Sequence, residues 1–198
     1  MNISLTAATI RARLRQATVG IAGCGGLGSN AAVALARAGV GKLILADDDR
    51  VEPSNLNRQY YFLDQIGQEK TAALRVNLLR ITPDIELEIC NRRLEPNAME
   101  RPFHHADVII EALDQAETKA QFIEEIQTKL PHIPLIGASG VAGLGSSDPI
   151  RTIRSGNLYI CHNPQAPSSD DGVLLAPRVC IMANWEANLA LEILLGTI

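Results

Sequence analysis

Aromatic residues are scarce in this sequence, at 4% of 198 positions. Any core must therefore be built from Leu, Ile, Val and Ala. There is no basic excess, because the net charge is -4. That speaks against a nucleic-acid partner, which usually leaves a basic footprint. It leaves open a local basic pocket for a phosphorylated ligand. The four cysteines, Cys24, Cys90, Cys161 and Cys180, include no C-x-x-C pair. Spacing alone excludes a zinc ribbon, and a disulfide framework is out of keeping with a chain of this size. The bland reading of the four is buried or half-buried thiols. No stretch reaches transmembrane length, and MNISLTAATIRARLRQ lacks the apolar run of a signal peptide. The expectation is a cytoplasmic protein with no membrane and no nucleic-acid partner.

What is present describes a folded chain. Hydrophobic residues make up 46% and charged residues 20%, enough to bury a core and to argue against disorder. The length suits one domain over 1–198. Helical spacing begins at Leu5, Ile10 and Leu14. Residues 19–22 read as a short buried strand, 23–28 as a glycine-rich turn and 30–38 as a helix stopped by Gly39. A second strand, 42–46, runs into Asp47-Asp48-Asp49. After a polar loop, 69–81 is helical, 85–90 and 107–110 are strands, and 116–130 is a helix stopped by Pro131. A strand at 133–138 follows. Two short strands are expected within 151–160, a loop over 163–172 and a closing helix over 179–195. Strands alternating with helices of this length imply βαβ units. The predicted fold is α/β, with a Rossmann-like, mostly parallel sheet, helices on both faces and an antiparallel extension near the C-terminus.

Gly23-Cys24-Gly25-Gly26-Leu27-Gly28 fits G-x-G-x-x-G, between a predicted strand and a predicted helix. That context gives the motif its meaning. Gly23 permits the tight turn, Gly25 lets a phosphate approach the backbone, and Gly28 lets helix and strand pack closely. The helix N-terminus offers free N–H groups and partial positive charge. A plain glycine turn is the competing reading. Asp47 shifts the balance, since it ends the second strand where an acid receives a ribose hydroxyl. Adenosine binding follows, with NAD and ATP both open. Arg58 and Lys70 lie downstream. Each alone reads as a solvated charge, but Arg58 sits in an Asn-rich loop that can present a fixed guanidinium to phosphate oxygens. Asp114 falls just past the fourth strand, at the edge where open α/β sheets bind ligands. It reads equally as a magnesium ligand or as the N-cap of the next helix.

GCGGLG, the acid of LADDD, SNLNRQ, Lys70 in QEKTAAL, and EALD together resemble the ThiF/MoeB adenylyltransferases of the ubiquitin-activating-enzyme superfamily. ASGVAG at 138–143 and APRV at 176–179 place the resemblance nearest the short ThiF branch of ThiS adenylyltransferases. The resemblance implies that Gly23, Gly25, Gly26 and Gly28 line the nucleotide turn and that Asp47 holds the ribose. Asn55, Arg58, Gln59 and Lys70 would meet the phosphates, and Asp114 would bind magnesium. The catalytic set would be Arg58, Lys70 and Asp114, with ATP and Mg as cofactors. The implied reaction is adenylation of the C-terminal glycine carboxylate of a small ubiquitin-like sulfur-carrier protein ending in Gly-Gly, in thiamine biosynthesis. A homodimer is also implied.

Three departures stand out. The zinc-binding C-x-x-C pairs of larger members are missing. The N-terminal arm that donates an arginine across a dimer has no counterpart, and Arg11, Arg13 and Arg15 are alternatives for it. The stretch Ser168-Ser169-Asp170-Asp171 holds no cysteine where some relatives carry one, so adenylation without a thioester or persulfide link is expected. Cys180 reads as a packing residue of the closing helix. Cys161 and His162 read as loop-end residues without chemistry, and His104-His105 as a surface turn. Two other classes compete. A nicotinamide-dependent oxidoreductase explains the glycine turn and Asp47 but not SNLNRQ. A non-catalytic carrier-binding module does not need Arg58, Lys70 and Asp114. Within the leading class, a tRNA-bound carboxylate is an alternative substrate against which the acidic charge speaks.

Overall fold

Central strands buried on both faces set the architecture. The computed structural model describes residues 6–167 and 172–198. Its strands are β1 (Thr18–Ala22), β2 (Lys42–Ala46), β3 (Glu86–Cys90), β4 (Val108–Glu111), β5 (Leu135–Ser139), β6 (Arg151–Ser155) and β7 (Leu158–His162). They form one sheet in the order β3-β2-β1-β4-β5-β7-β6. All neighbours are parallel except β6 and β7, which pair antiparallel at one edge. The helices are α1 (Ala7–Gln16), α2 (Gly26–Ala38), α3 (Lys70–Ile81), α4 (Ala116–Lys129) and α5 (Ala176–Leu195).

Side chains of one strand point alternately to the two faces. Val19, Ile21, Leu43, Leu45, Val108, Ile110 and Ile136 pack into one core with α2, α3 and α5. Ile44, Ile109 and Leu135 pack into the other with Phe103 and with Phe122 and Ile126 of α4. The helices therefore cover both faces, as the βαβ pattern predicts. Aliphatic residues dominate both cores, and the second is anchored by an edge-to-face pair of Phe103 and Phe122, with ring centroids 5.7 Å apart.

Most element ends lie within a few residues of the expected ones. Two starts move for physical reasons. The glycine turn enters α2 directly, so that helix begins at Gly26 rather than at 30. The closing helix begins at Ala176 rather than 179, because Pro177 occupies its first turn, where a missing N–H is no loss. Gly39 and Gly196 end α2 and α5 in left-handed conformations. Cys161 and His162 end strand β7 rather than lying in a loop. Among the described residues, no helix is long and apolar enough to cross a membrane.

Strand order reverses between β1 and β4. From β1 the chain moves one way to β2 and β3, then crosses back to β4 and β5. Such a switch point opens a crevice at the carboxyl ends of the strands.

Candidate functional site

The crevice holds a cavity of about 690 Å³. Its wall at β1 is the glycine turn. Gly23 has φ of 94°, and a Cβ there would stand 2.5 Å from the Ala112 carbonyl oxygen, on the neighbouring strand end. Only glycine combines that backbone with that approach. Gly28 points away from the cavity. A Cβ there would stand 1.9 Å from the Gly23 carbonyl oxygen, so its role is the close packing of α2 on its own turn. Gly25 and Gly26 line the cavity.

Asp47 leaves the end of β2 and ties it to the turn. Its Oδ2 accepts from the Cys24 N–H at 2.6 Å and its Oδ1 from the Asp49 N–H at 2.8 Å. Each carboxylate oxygen keeps a second lone pair for a ligand. Burial pushes the Asp47 carboxyl above its ordinary range, opposed by Lys70 and the two N–H donors. Burial also pushes the Cys24 thiol well up, and Asp47 adds to it, so this cysteine in the turn stays a neutral thiol at neutral pH.

Lys70 opens α3 and is almost wholly buried, yet its Nζ reaches Asp49 Oδ2 at 2.6 Å. Burial works against its charge, but Asp47, Asp49 and Asp114 outweigh that and raise its pKa. It is an ammonium at neutral pH, in a wall otherwise rich in acids. Carboxylate oxygens of Asp47, Asp48 and Asp49 lie within 4.8 Å of one another. Two of these acids already accept from backbone N–H groups or from Lys70.

Arg58 and Gln59 come from the polar loop. Asn30 of α2 donates to the Arg58 carbonyl at 2.9 Å, and Ser29 accepts from the Tyr60 N–H at 3.0 Å. These bonds pin the loop to the glycine turn. The Arg58 guanidinium donates to the Ser54 carbonyl and to Asn57 Oδ1 at 2.9 and 2.7 Å. These acceptors are neutral and leave its charge unpaired among the described residues. Gln59 Oε1 is buried with no hydrogen-bond partner among them. An unmet buried acceptor in a cavity wall is a place for a donor on a ligand.

Asn55 departs from expectation. It is not in the cavity wall. Its Oδ1 accepts from the Glu52 N–H at 3.1 Å, closing the short 3₁₀ turn at Pro53–Asn55. The side chain satisfies local backbone, as Asn commonly does in such turns. Asp114 is exposed on the cavity wall. It does not cap α4, whose N-cap is Gln115 without a side-chain bond. Its carboxylate has no hydrogen-bonding partner among the described residues, which leaves it free to hold a cation.

The wall also holds residues to which sequence reasoning assigned no role. Arg92 and Arg93 follow β3, Lys119 projects from α4, and His162 ends β7. Lys119 pairs with Glu111, a carboxylate with no exposed side-chain surface. An acid ending the buried run Val108–Glu111 was the available signal. Arg178 is another. It donates to the carbonyls of Gly145 and Ser146 at 2.5 and 3.2 Å, holding the glycine-rich segment after β5. His104 and His105 are exposed in a turn, as expected. Cys180 is half-buried in α5. The serine-aspartate stretch 168–171 lies outside the described residues.

The model of the ThiF family matches residues 1–198. This chain belongs to the ThiF family. It is 35% identical over 190 residues to the sulfur carrier protein ThiS adenylyltransferase of Escherichia coli, covering 93% of this chain and 74% of that protein. It is also 35% identical over 140 residues to the tRNA threonylcarbamoyladenosine dehydratase of Bacillus subtilis, covering 70% of this chain and 54% of that one. Among solved structures, the E. coli tRNA N6-threonylcarbamoyladenosine dehydratase TcdA in complex with ATP superposes with a TM-score of 0.86. It is 19% identical and is covered over 98% of both chains. At that identity the likeness speaks for the fold. The chain is thus a ThiF-family adenylyltransferase of Rossmann type.

Proposed function

We propose that this protein adenylates the C-terminal glycine carboxylate of a ThiS-like, ubiquitin-like sulfur carrier ending in Gly-Gly, using ATP and releasing pyrophosphate. The reading places the protein in thiamine biosynthesis, in the cytoplasm, as one domain that pairs into a homodimer. The observation that carries it is the convergence of Arg58, Gln59, Lys70 and Asp114 on the cavity that the glycine turn and Asp47 also line. A dinucleotide needs the turn and the acid. It gives no reason for two cations and a free carboxylate beside them.

The chemistry follows from charge. A C-terminal carboxylate is ionised at neutral pH, so it attacks the α-phosphorus without a general base. One O–P bond forms, the bond to the β-phosphate breaks, and pyrophosphate leaves with the electron pair. Adenosine would lie from Asp47 to the glycine turn, and Gly25, Arg58, Gln59 and Lys70 would receive the phosphates. Asp114 fits a magnesium ligand, which would supply charge neutralisation of the triphosphate. Catalysis is then positioning and electrostatic stabilisation. With no cysteine at 168–171, the acyl-adenylate is the product this chain hands on.

A second reading has one specific support, the likeness to the B. subtilis tRNA-modifying protein. In it the activated carboxylate belongs to a modified tRNA. The net charge of -4 weighs against that polyanion. The two are separated by measuring pyrophosphate release from ATP with a Gly-Gly carrier and with tRNA bearing threonylcarbamoyladenosine. Carrier-dependent turnover supports the proposal, and turnover with tRNA alone replaces it.

A further inference from the structure

Lys119 is a cation on the same cavity wall as the glycine turn and Asp47. The ribose acid and the glycine turn sit at the ends of β2 and β1. Lys119 sits on the other side of the switch point, where its ammonium meets the Ala138 carbonyl at the end of β5, at 3.4 Å. Its other partner is Glu111 Oε2. Glu111 is held still in turn, since its Oε1 accepts from the Leu113 N–H at 2.8 Å.

An ammonium has three donors. Two are engaged with groups of the protein. The third has no partner among the described residues, on a side chain that is one-quarter exposed and lines the cavity. The pair is also built to stay as it is. Glu111 has no exposed side-chain surface. A second buried carboxyl, Glu186 of α5, has no hydrogen-bond partner for either oxygen among the described residues. Burial raises the Glu186 carboxyl well above the usual carboxylate range, and it raises Glu111 as well, against the opposing charge of Lys119. Among the described residues Lys119 forms an ion pair with Glu111 alone, and it lines the cavity on the β5 side.

We propose that Lys119 holds the attacking carboxylate of the acyl substrate, with Glu111 as the positioning residue that fixes its ammonium at the cavity wall. This rests on the adenylation reading above. One carboxylate oxygen forms the bond to phosphorus while the P–O bond to pyrophosphate breaks. The other, gripped by Lys119, becomes the carbonyl oxygen of the acyl-adenylate. No proton moves.

The test uses the full chain and three probes: ATP, AMP and 5′-O-(N-glycylsulfamoyl)adenosine, a stable mimic of a glycyl-adenylate. Removing Lys119 alone leaves a buried acid unpaired, so the main variant is Lys119→Met with Glu111→Gln, and Lys119→Arg keeps the charge. Calorimetry on the wild type should show the mimic bound more tightly than AMP. The double variant should lose that preference by about tenfold or more, the scale of one charge-assisted hydrogen bond. ATP affinity should stay within about twofold, and Lys119→Arg should keep most of the preference. An unchanged preference in the double variant overturns the assignment, as does a wild type with no preference. A parallel loss of ATP affinity overturns it too, by making Lys119 a phosphate ligand. A wild type that prefers the mimic through Lys119 yet shows no turnover with a Gly-Gly carrier leaves this assignment standing and removes the carrier reading.

Discussion

Replacing Lys70 with Met separates charge from fold at the site. The aliphatic stem keeps its packing at the start of α3, and the ammonium goes. Its direct partner Asp49 has a side chain 61% exposed, so water takes over that carboxylate at a cost of about 0–1 kcal/mol. Asp47 is more buried and loses the nearest positive charge that now opposes its raised pKa, so its carboxyl should move further up. The stability change should remain below about 2 kcal/mol. The effect on function should be larger. A hydrogen bond to a charged group is worth about 1.5–3 kcal/mol, which is roughly ten- to a hundredfold in rate when it acts on the transition state. ATP–pyrophosphate exchange should fall by that factor, with Lys70→Arg recovering part of it. A thermal melt checks the fold. Exchange at the wild-type rate in a folded Lys70→Met protein would refute the assignment of this ammonium to the phosphates.

Two further predictions test other parts of the structure. Gly28→Ala forces a Cβ against the Gly23 carbonyl oxygen at 1.9 Å. It should destabilise the protein by about 3 kcal/mol or more, read as a lowered Tm or failure to fold; a wild-type melt would contradict the packing described. Glu186→Gln should make stability less dependent on pH. The wild-type carboxyl is raised in the folded state by burial, and Glu111 adds to this against Lys119. The folded protein thus holds a proton that the unfolded chain loses. Stability from this group falls as pH rises above the ordinary value of 4.5, and the glutamine variant should not show that fall in urea melts between pH 5 and pH 8.

The side of the cavity at β1 and β2 was legible because each part is local and punctuated. The glycine turn, Asp47, Lys70 and Asp114 all stand at the carboxyl ends of strands or the first turns of helices, and hydrophobic runs give those positions away. Arg58 was legible through the Asn-rich loop around it, whereas Gln59 came only from the family resemblance. Asn55 shared that loop but turned inward, because a side-chain amide after Glu52-Pro53-Ser54 finds an N–H within reach. The side of the cavity at β5 was hidden. Lys119 looks like any solvated lysine of an amphipathic helix, and its meaning depends on Glu111 and Ala138 from two neighbouring strands. Glu186 sits in a helix with Trp185 and Asn184 beside it, and nothing local shows that this face is turned into the core. Strand β6 was expected only loosely, since Arg151–Ser155 is mostly exposed and carries little hydrophobic pattern.

The most direct test of the central claim is ATP–pyrophosphate exchange with magnesium, with and without a ThiS-like carrier ending in Gly-Gly, beside an Arg58→Ala control. Exchange that requires the carrier and falls by about tenfold or more in the control is the predicted result. Exchange absent with an intact carrier, although ATP binds, would contradict the proposed function.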